Sequence, residues 1–302
     1  MTIHELPRKK VDLVFEGGGV KGIAYVGALK ALEDHGYKPN SLAGTSAGAI
    51  VASLIAVGYK PKQLEKILWD LDFEKLKDKS FVDHLPFIGG AISIFIDKGI
   101  YEGNYLEKWL RKKLKAAPSP ATTFGELKKR LKIVATDISR GTMLVLPDGI
   151  KKYGLDPDKL DIAFAVRMSM SIPFFFEPVV LDTPQGTSYI VDGCISSNFP
   201  INIFNRTDGP SRWPTFGLRL VEPNNAPNQV STPFQMFSAI FSTMMATRDA
   251  REMELNTDAM SVEIFTGHIK ATDFDLNDSQ KRMLVESGRI AMEEFMEDTI
   301  YA

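Results

Sequence analysis

The pentad Gly44-Thr45-Ser46-Ala47-Gly48 sets one serine between two glycines, after a short apolar run and before small residues at helical spacing. This is the layout of a nucleophile elbow, in which the chain turns from strand to helix so tightly that the positions two before and two after the serine have little room for a Cβ. The spacing predicts that Ser46 Oγ stands at a helix N-terminus. Unpaired backbone N–H groups and the positive end of the helix dipole there favour negative charge developing on a substrate. Ala47, Ala49 and Ala52 allow that helix to pack closely. The chemistry expected is nucleophilic attack by a hydroxyl, split over two steps.

A second glycine cluster, Glu16-Gly17-Gly18-Gly19-Val20-Lys21-Gly22, directly follows the apolar run 11–15, which reads as a buried strand. A helix is expected over 23–35, because Ile23, Val26, Ala28, Leu29 and Leu32 recur at three- and four-residue spacing and Gly36 supplies a stop. Consecutive glycines leave successive N–H groups unshielded, able to converge on an anion. Two anions fit. Gly17-x-Gly19-x-x-Gly22 satisfies the dinucleotide fingerprint, so the alternative reading is a nucleotide-binding Rossmann-type oxidoreductase. That fingerprint expects an acidic residue at the tip of the second strand, where Gly44-Thr45-Ser46 stands instead. The other anion is the oxyanion of a tetrahedral acyl intermediate, which needs preorganised N–H donors about 3 Å from the developing charge. Two neighbouring strand-to-helix turns, one with a nucleophile and one with spare amides, suit that need better.

A serine nucleophile needs a base, and none of the four histidines, His4, His35, His84 and His268, is well placed to be one. Asp192 is. It ends the β-rich run 188–192, and the Asp192-Gly193 turn signal would leave its carboxylate at the strand's C-terminal tip. In open α/β sheets sites collect at that edge.

These three pieces, in this order, resemble the patatin-like phospholipases, serine lipid acyl hydrolases that use a Ser–Asp dyad. Gly17-Gly18-Gly19-Val20-Lys21-Gly22 is similar to the family's oxyanion motif, Gly44-Thr45-Ser46-Ala47-Gly48 to its nucleophile motif, and Asp192-Gly193 to its dyad motif. The resemblance implies that Ser46 is the nucleophile, that Asp192 is its base, and that the amides of Gly18, Gly19 and Ala47 hold the oxyanion. Lys21 falls where the family carries Arg or Lys, which suggests a cationic contact near the loop. Cys194 departs from the more usual Gly or Ala at the third position of the dyad motif. The segment 165–176, with Arg167, Ser169, Ser171 and Pro173, resembles the family's lead into the dyad strand. Arg167 is expected to pin the loop beside the elbow. The implied substrates are phospholipids, lysophospholipids, galactolipids or neutral acylglycerols, with no metal or organic cofactor.

The elements that must carry these residues are those of an α/β fold: a central, mostly parallel sheet with helices on both faces, as one domain over 11–302 behind a flexible leader at 1–10. Strands are expected at 133–137 and 214–221, a hairpin at 141–146, and helices at 61–76, 105–115, 233–255 and from Asn277 onward. Met283, Leu284, Ile290 and Phe295 are read as the buried side of the last helix. The glycine-broken apolar run 85–96 and the Phe/Met half of 233–255 are candidates for an apolar lid or for lipid contact.

Lys and Arg number 36 against 38 Asp and Glu, a net charge of −2, so no basic field favours nucleic acid or strong capture by anionic lipid. Cys194 is the only cysteine, so no intramolecular disulfide can form. No run of 18 or more apolar residues is present, and the first residues lack an apolar signal core. The expected setting is cytoplasmic, with peripheral contact at a membrane surface.

Overall fold

A computed structural model describes residues 9–72, 101–184, 186–206, 211–222, 260–271 and 273–301, with a few isolated positions between them. An eight-stranded sheet runs in the order β5-β6-β3-β2-β1-β7-β8, and β4 also pairs with β3. The strands are β1 (Lys10–Phe15), β2 (Lys38–Thr45), β3 (Arg130–Asp137), β4 (Thr142–Leu146), β5 (Val179–Thr183), β6 (Gly186–Asp192), β7 (Thr215–Val221) and β8 (Met260–Phe265). The contiguous set β3-β2-β1-β7-β8 is parallel. The β3–β6, β5–β6 and β3–β4 pairings are antiparallel. In register, Phe15 lies beside Gly44, so the loops after β1 and β2 leave the sheet side by side. β6 descends against β3 and pairs Asp192 with Ala135, so the aspartate reaches the site from the direction opposite to the serine.

The helices are α1 (Ala24–Asp34), α2 (Ala47–Ala56), α3 (Pro61–Trp69), α4 (Asn104–Lys115), α5 (Ile162–Ser169) and α6 (Asp278–Tyr301). Every residue of α2 is buried, as its run of small and aliphatic residues requires. Val11, Leu13 and Phe15 of β1 join the main core with residues from all six helices. Alternation along β1 and β2 turns Val14 and Ala43 to the opposite face, where Phe199, Ile201 and Phe204 cover them. Burying one such aliphatic or aromatic side chain contributes about 1.5–3 kcal/mol. The runs 85–96 and 233–255 lie almost wholly outside the described residues.

Two expectations change. The helix expected over 61–76 ends at Trp69, and Leu71, only 3% exposed, drops into the core just after it. In α6, Asn277 caps the helix as expected: its Oδ1 accepts from the Gln280 amide at 3.0 Å while its own amide donates to Gln280 Oε1 at 2.9 Å. The buried stripe, however, is Leu284, Met292 and Met296, whereas Met283 and Ile290 are 41% and 42% exposed. Two glycines select that stripe. A Cβ on Gly288 would fall 2.0 Å from the Ala24 carbonyl oxygen of α1, and one on Gly27 of α1 would fall 1.7 Å from that of Val285. The backbones of α1 and α6 therefore cross in contact, and the rotation of α6 follows. Gly27→Ala should cost about 1–3 kcal/mol through overpacking, read as a lower denaturant midpoint with unchanged slope. An unchanged midpoint would mean that the helices cross elsewhere.

Candidate active site

β2 ends at Thr45, and Ser46 makes the turn into α2 at φ 52° and ψ −124°, one of two non-glycine residues with positive φ among those described. Such backbone costs on the order of 1–3 kcal/mol and persists only where its surroundings enforce it. The enforcement is local. A Cβ on Gly44 would lie 2.3 Å from Gly48 backbone, and one on Gly48 would lie 2.4 Å from the Phe15 carbonyl oxygen. From outside the turn, Ser169 Oγ accepts from the Ser46 amide at 2.8 Å and donates to the Val134 carbonyl at 2.6 Å.

Ser46 Oγ donates to Asp192 Oδ2 at 2.8 Å, across 146 positions of sequence. The other carboxylate oxygen, Oδ1, accepts from the Cys194 amide at 2.9 Å, so the aspartate caps its own turn while facing the serine. The Asp192 backbone is also held, its amide donating to Ser171 and its carbonyl accepting from Thr136 Oγ1. A Cβ on Gly193 would strike the Val134 carbonyl oxygen at 2.2 Å, which is the reason for glycine there. Asp192 is fully buried, and burial pushes its carboxyl up to about 6, against the opposing pull of the hydrogen bonds from Cys194 and Ser46.

The glycine loop lies against this pair: a Cβ on Gly17 would lie 3.3 Å from Ser46 Cβ, and one on Gly22 would lie 3.3 Å from Ala47 Cβ. Gly19 has φ 55°. Among the described residues, no acceptor is paired with the amides of Gly18, Gly19 or Ala47. The Lys21 ammonium sits 2.8 Å from Glu222 Oε1, just past the end of β7. Arg167 donates to the Glu102 and Glu177 carbonyls and to Ser171 Oγ, tying three segments together behind the dyad turn. His35 lies at the far end of α1 and His268 is exposed after β8, whereas His4 and His84 lie outside the described residues.

Two residues that sequence reasoning passed over hold the loop. Asn198 takes Gly17 N–H on its carbonyl at 3.1 Å and the Cys194 thiol on Oδ1 at 2.8 Å, and gives Nδ2 to Glu16 Oε1 at 3.0 Å. Glu16, 5% exposed, accepts also from the Leu220 amide at 2.6 Å and, through its carbonyl, from Tyr25 OH at 2.6 Å. Asn198 thus joins the glycine loop to the dyad turn. An acid between a largely apolar strand and a glycine run was the visible sign of Glu16, and Asn198 carried none.

The family model for patatin-like phospholipases matches residues 13–205. The chain belongs to the patatin-like phospholipase family. Its relatives include an uncharacterised protein, YqhO, of Bacillus subtilis (strain 168), 40% identical over 295 residues, which span 96% of this chain and 99% of that one. A probable lipid hydrolase, 463L, of invertebrate iridescent virus 6 is 27% identical over 202 residues, 65% of this chain and 64% of its own. Among solved structures, VipD from Legionella pneumophila matches with a TM-score of 0.58 at 20% identity over 95% of this chain and 67% of its own. ExoU, in its complex with SpcU from the type III secretion system of Pseudomonas aeruginosa, matches at 0.54 and 21% identity over 98% of this chain. The present chain covers 52% of ExoU, and at these identities the likeness is one of fold. No described helix of this patatin-like chain is long and apolar enough to cross a membrane.

The raised carboxyl has a cost to folding. An aspartate that moves from 3.8 to about 6 on folding is more stable protonated, so destabilisation is absent below about pH 4, grows as pH rises to about 6, and then stays near 3 kcal/mol. Asp192→Asn should therefore gain stability over wild type between pH 4 and pH 8, by about 2–3 kcal/mol in denaturant titrations. A difference independent of pH would mean that folding does not raise the Asp192 carboxyl.

Proposed function

We propose that this patatin-like chain hydrolyses carboxylic esters of acyl lipids, with Ser46 as nucleophile and Asp192 as its base. The observation that carries the reading is the hydrogen bond of 2.8 Å from Ser46 Oγ to a carboxylate buried away from water. Ser46 Oγ attacks the ester carbonyl as its proton passes to Asp192 Oδ2, and the proton is then delivered to the departing alkoxide. Water, activated by the same carboxylate, attacks the acyl-serine and releases the fatty acid. A carboxyl poised near 6 is a stronger base than an exposed aspartate and still largely ionised at neutral pH.

In both steps negative charge gathers on the former carbonyl oxygen. The unpaired amides of Gly18, Gly19 and Ala47 are the donors proposed to meet it, preorganised so that no reorganisation is needed as the charge develops. An aromatic cluster on the segment that follows Ser171 is proposed as an apolar wall for an acyl chain: Phe175 stacks on Phe274 at 5.4 Å and lies 4.8 Å from Tyr101. The proposed approach to lipid is peripheral, from outside the bilayer. The dinucleotide reading loses ground because Ser46 occupies the strand tip where an acidic residue would hold the ribose.

Ser46→Ala should abolish hydrolysis of a short-chain ester with the fold retained, and Asp192→Asn should lower turnover about 10³-fold because the amide keeps the shape but cannot take the proton. Replacing each histidine by glutamine should leave turnover within about threefold of wild type. Asp192→Asn activity within tenfold of wild type, or a histidine variant as inactive as Asp192→Asn, would overturn the dyad.

A further inference from the structure

The helices that begin at the glycine loop and at the serine turn end, at their far ends, around a cavity of about 500 Å³. It opens beside the starts of β1, β2 and β3, the end of the sheet away from Ser46, so it is not part of the site described above. Leu29 and Leu32 of α1, Ile55 of α2, Tyr37 and Tyr59 form its apolar lining. Burial raises both phenols above their ordinary value, so they remain neutral.

Cations surround that lining. Lys10, Lys38, Lys60, Lys128 and Lys129 all line the cavity, against one carboxylate, Glu33. Glu33 is already engaged by Lys60 at 2.8 Å, and the Lys10 ammonium lies over the Trp213 ring at 5.1 Å. No ion pair holds Lys38, Lys128 or Lys129 among the described residues. Burial, with Lys60 nearby, pulls the Lys129 ammonium below its ordinary value. With Lys60 paired to Glu33, four further like charges around one hollow are unfavourable without a counter-charge, and the chain as a whole is acidic at −2. The hollow therefore combines an uncompensated positive rim with an apolar interior, at a volume within the range of ligand pockets, about 300–1,000 Å³.

We propose that this cavity binds a single-chain anionic amphiphile, its hydrocarbon against Leu29, Leu32 and Ile55 and its anionic head among Lys38, Lys128 and Lys129. A fatty acid is the simplest such molecule. The site stands on the cavity alone and does not depend on the hydrolytic reading.

Lysine acylation read by mass spectrometry at pH 7.5 tests the site without reference to hydrolysis. Lys129, with its lowered ammonium, should label readily, and oleate below its micellar concentration should reduce labelling of Lys129 and Lys38 several-fold while exposed Lys115 is unaffected. Oleyl alcohol and inorganic phosphate, each carrying half of the chemistry, should protect neither. The double variant Lys38→Gln/Lys128→Gln changes two exposed side chains and should raise the oleate concentration needed to protect Lys129 about tenfold. Absence of protection by oleate, equal protection by phosphate or by the alcohol, or an unchanged midpoint in the double variant would each overturn the proposal.

Discussion

The left-handed backbone at Ser46 is the constraint around which the rest of this structure is arranged. A strand that stops at Thr45 and a helix that starts at Ala47 leave one residue to reverse the chain, and a serine at φ 52° can do so only where nothing competes for space. Gly44 and Gly48 remove two Cβ atoms that would collide with backbone, and Ser169 takes the Ser46 amide. Packing then holds the turn: α2 is buried along its whole length, so relaxing Ser46 would mean moving a helix through the core. Strain at one residue is offset by burial of ten.

That turn matters because of what β6 brings to it. Running against β3, β6 delivers Asp192 beside the serine, and the glycine after it clears the Val134 carbonyl so that the chain can leave. Among the described residues, no cation pairs with the aspartate in the core. Its compensation is two hydrogen-bond donors, the Ser46 hydroxyl and the Cys194 amide, too few to restore an ordinary carboxyl. A weaker arrangement for stability suits the proton abstraction proposed for Asp192, since a base near 6 would work close to neutral pH. Asn198 then couples the two halves, binding the dyad turn through Cys194 and the glycine loop through Gly17 and Glu16.

Much of this was legible in the sequence because glycine spacing reports backbone geometry directly. Gly44, Gly48 and Gly193 are glycines for local reasons, and each stands within two residues of the side chain it serves. Ser169 stood in a recognisable segment, but its grip on the Ser46 amide 123 positions away was not legible, and Asn198, whose partner Glu16 lies 182 positions away, marked no motif at all. Nor was the full rotation of α6: apolar spacing placed Leu284 inside, as found, but also Met283 and Ile290, and only the close approach of Gly27 to Val285 reveals why Met292 and Met296 are inside instead. Lys21 illustrates the same limit, its charge meeting Glu222 from a strand 201 positions away.

The central claim is that a buried carboxylate, and no histidine, activates Ser46. The rate at which a fluorophosphonate labels Ser46, mapped by peptide mass and followed from pH 4 to pH 9, addresses it most directly, because labelling needs the activated hydroxyl but no lipid, membrane or product release. The account predicts a rate that rises with a single midpoint near 6, the value to which burial pushes Asp192, and that is slow and flat across this range in Asp192→Asn. A midpoint near the ordinary histidine value that survives Asp192→Asn and disappears in a histidine variant, or labelling at a residue other than Ser46, would contradict it.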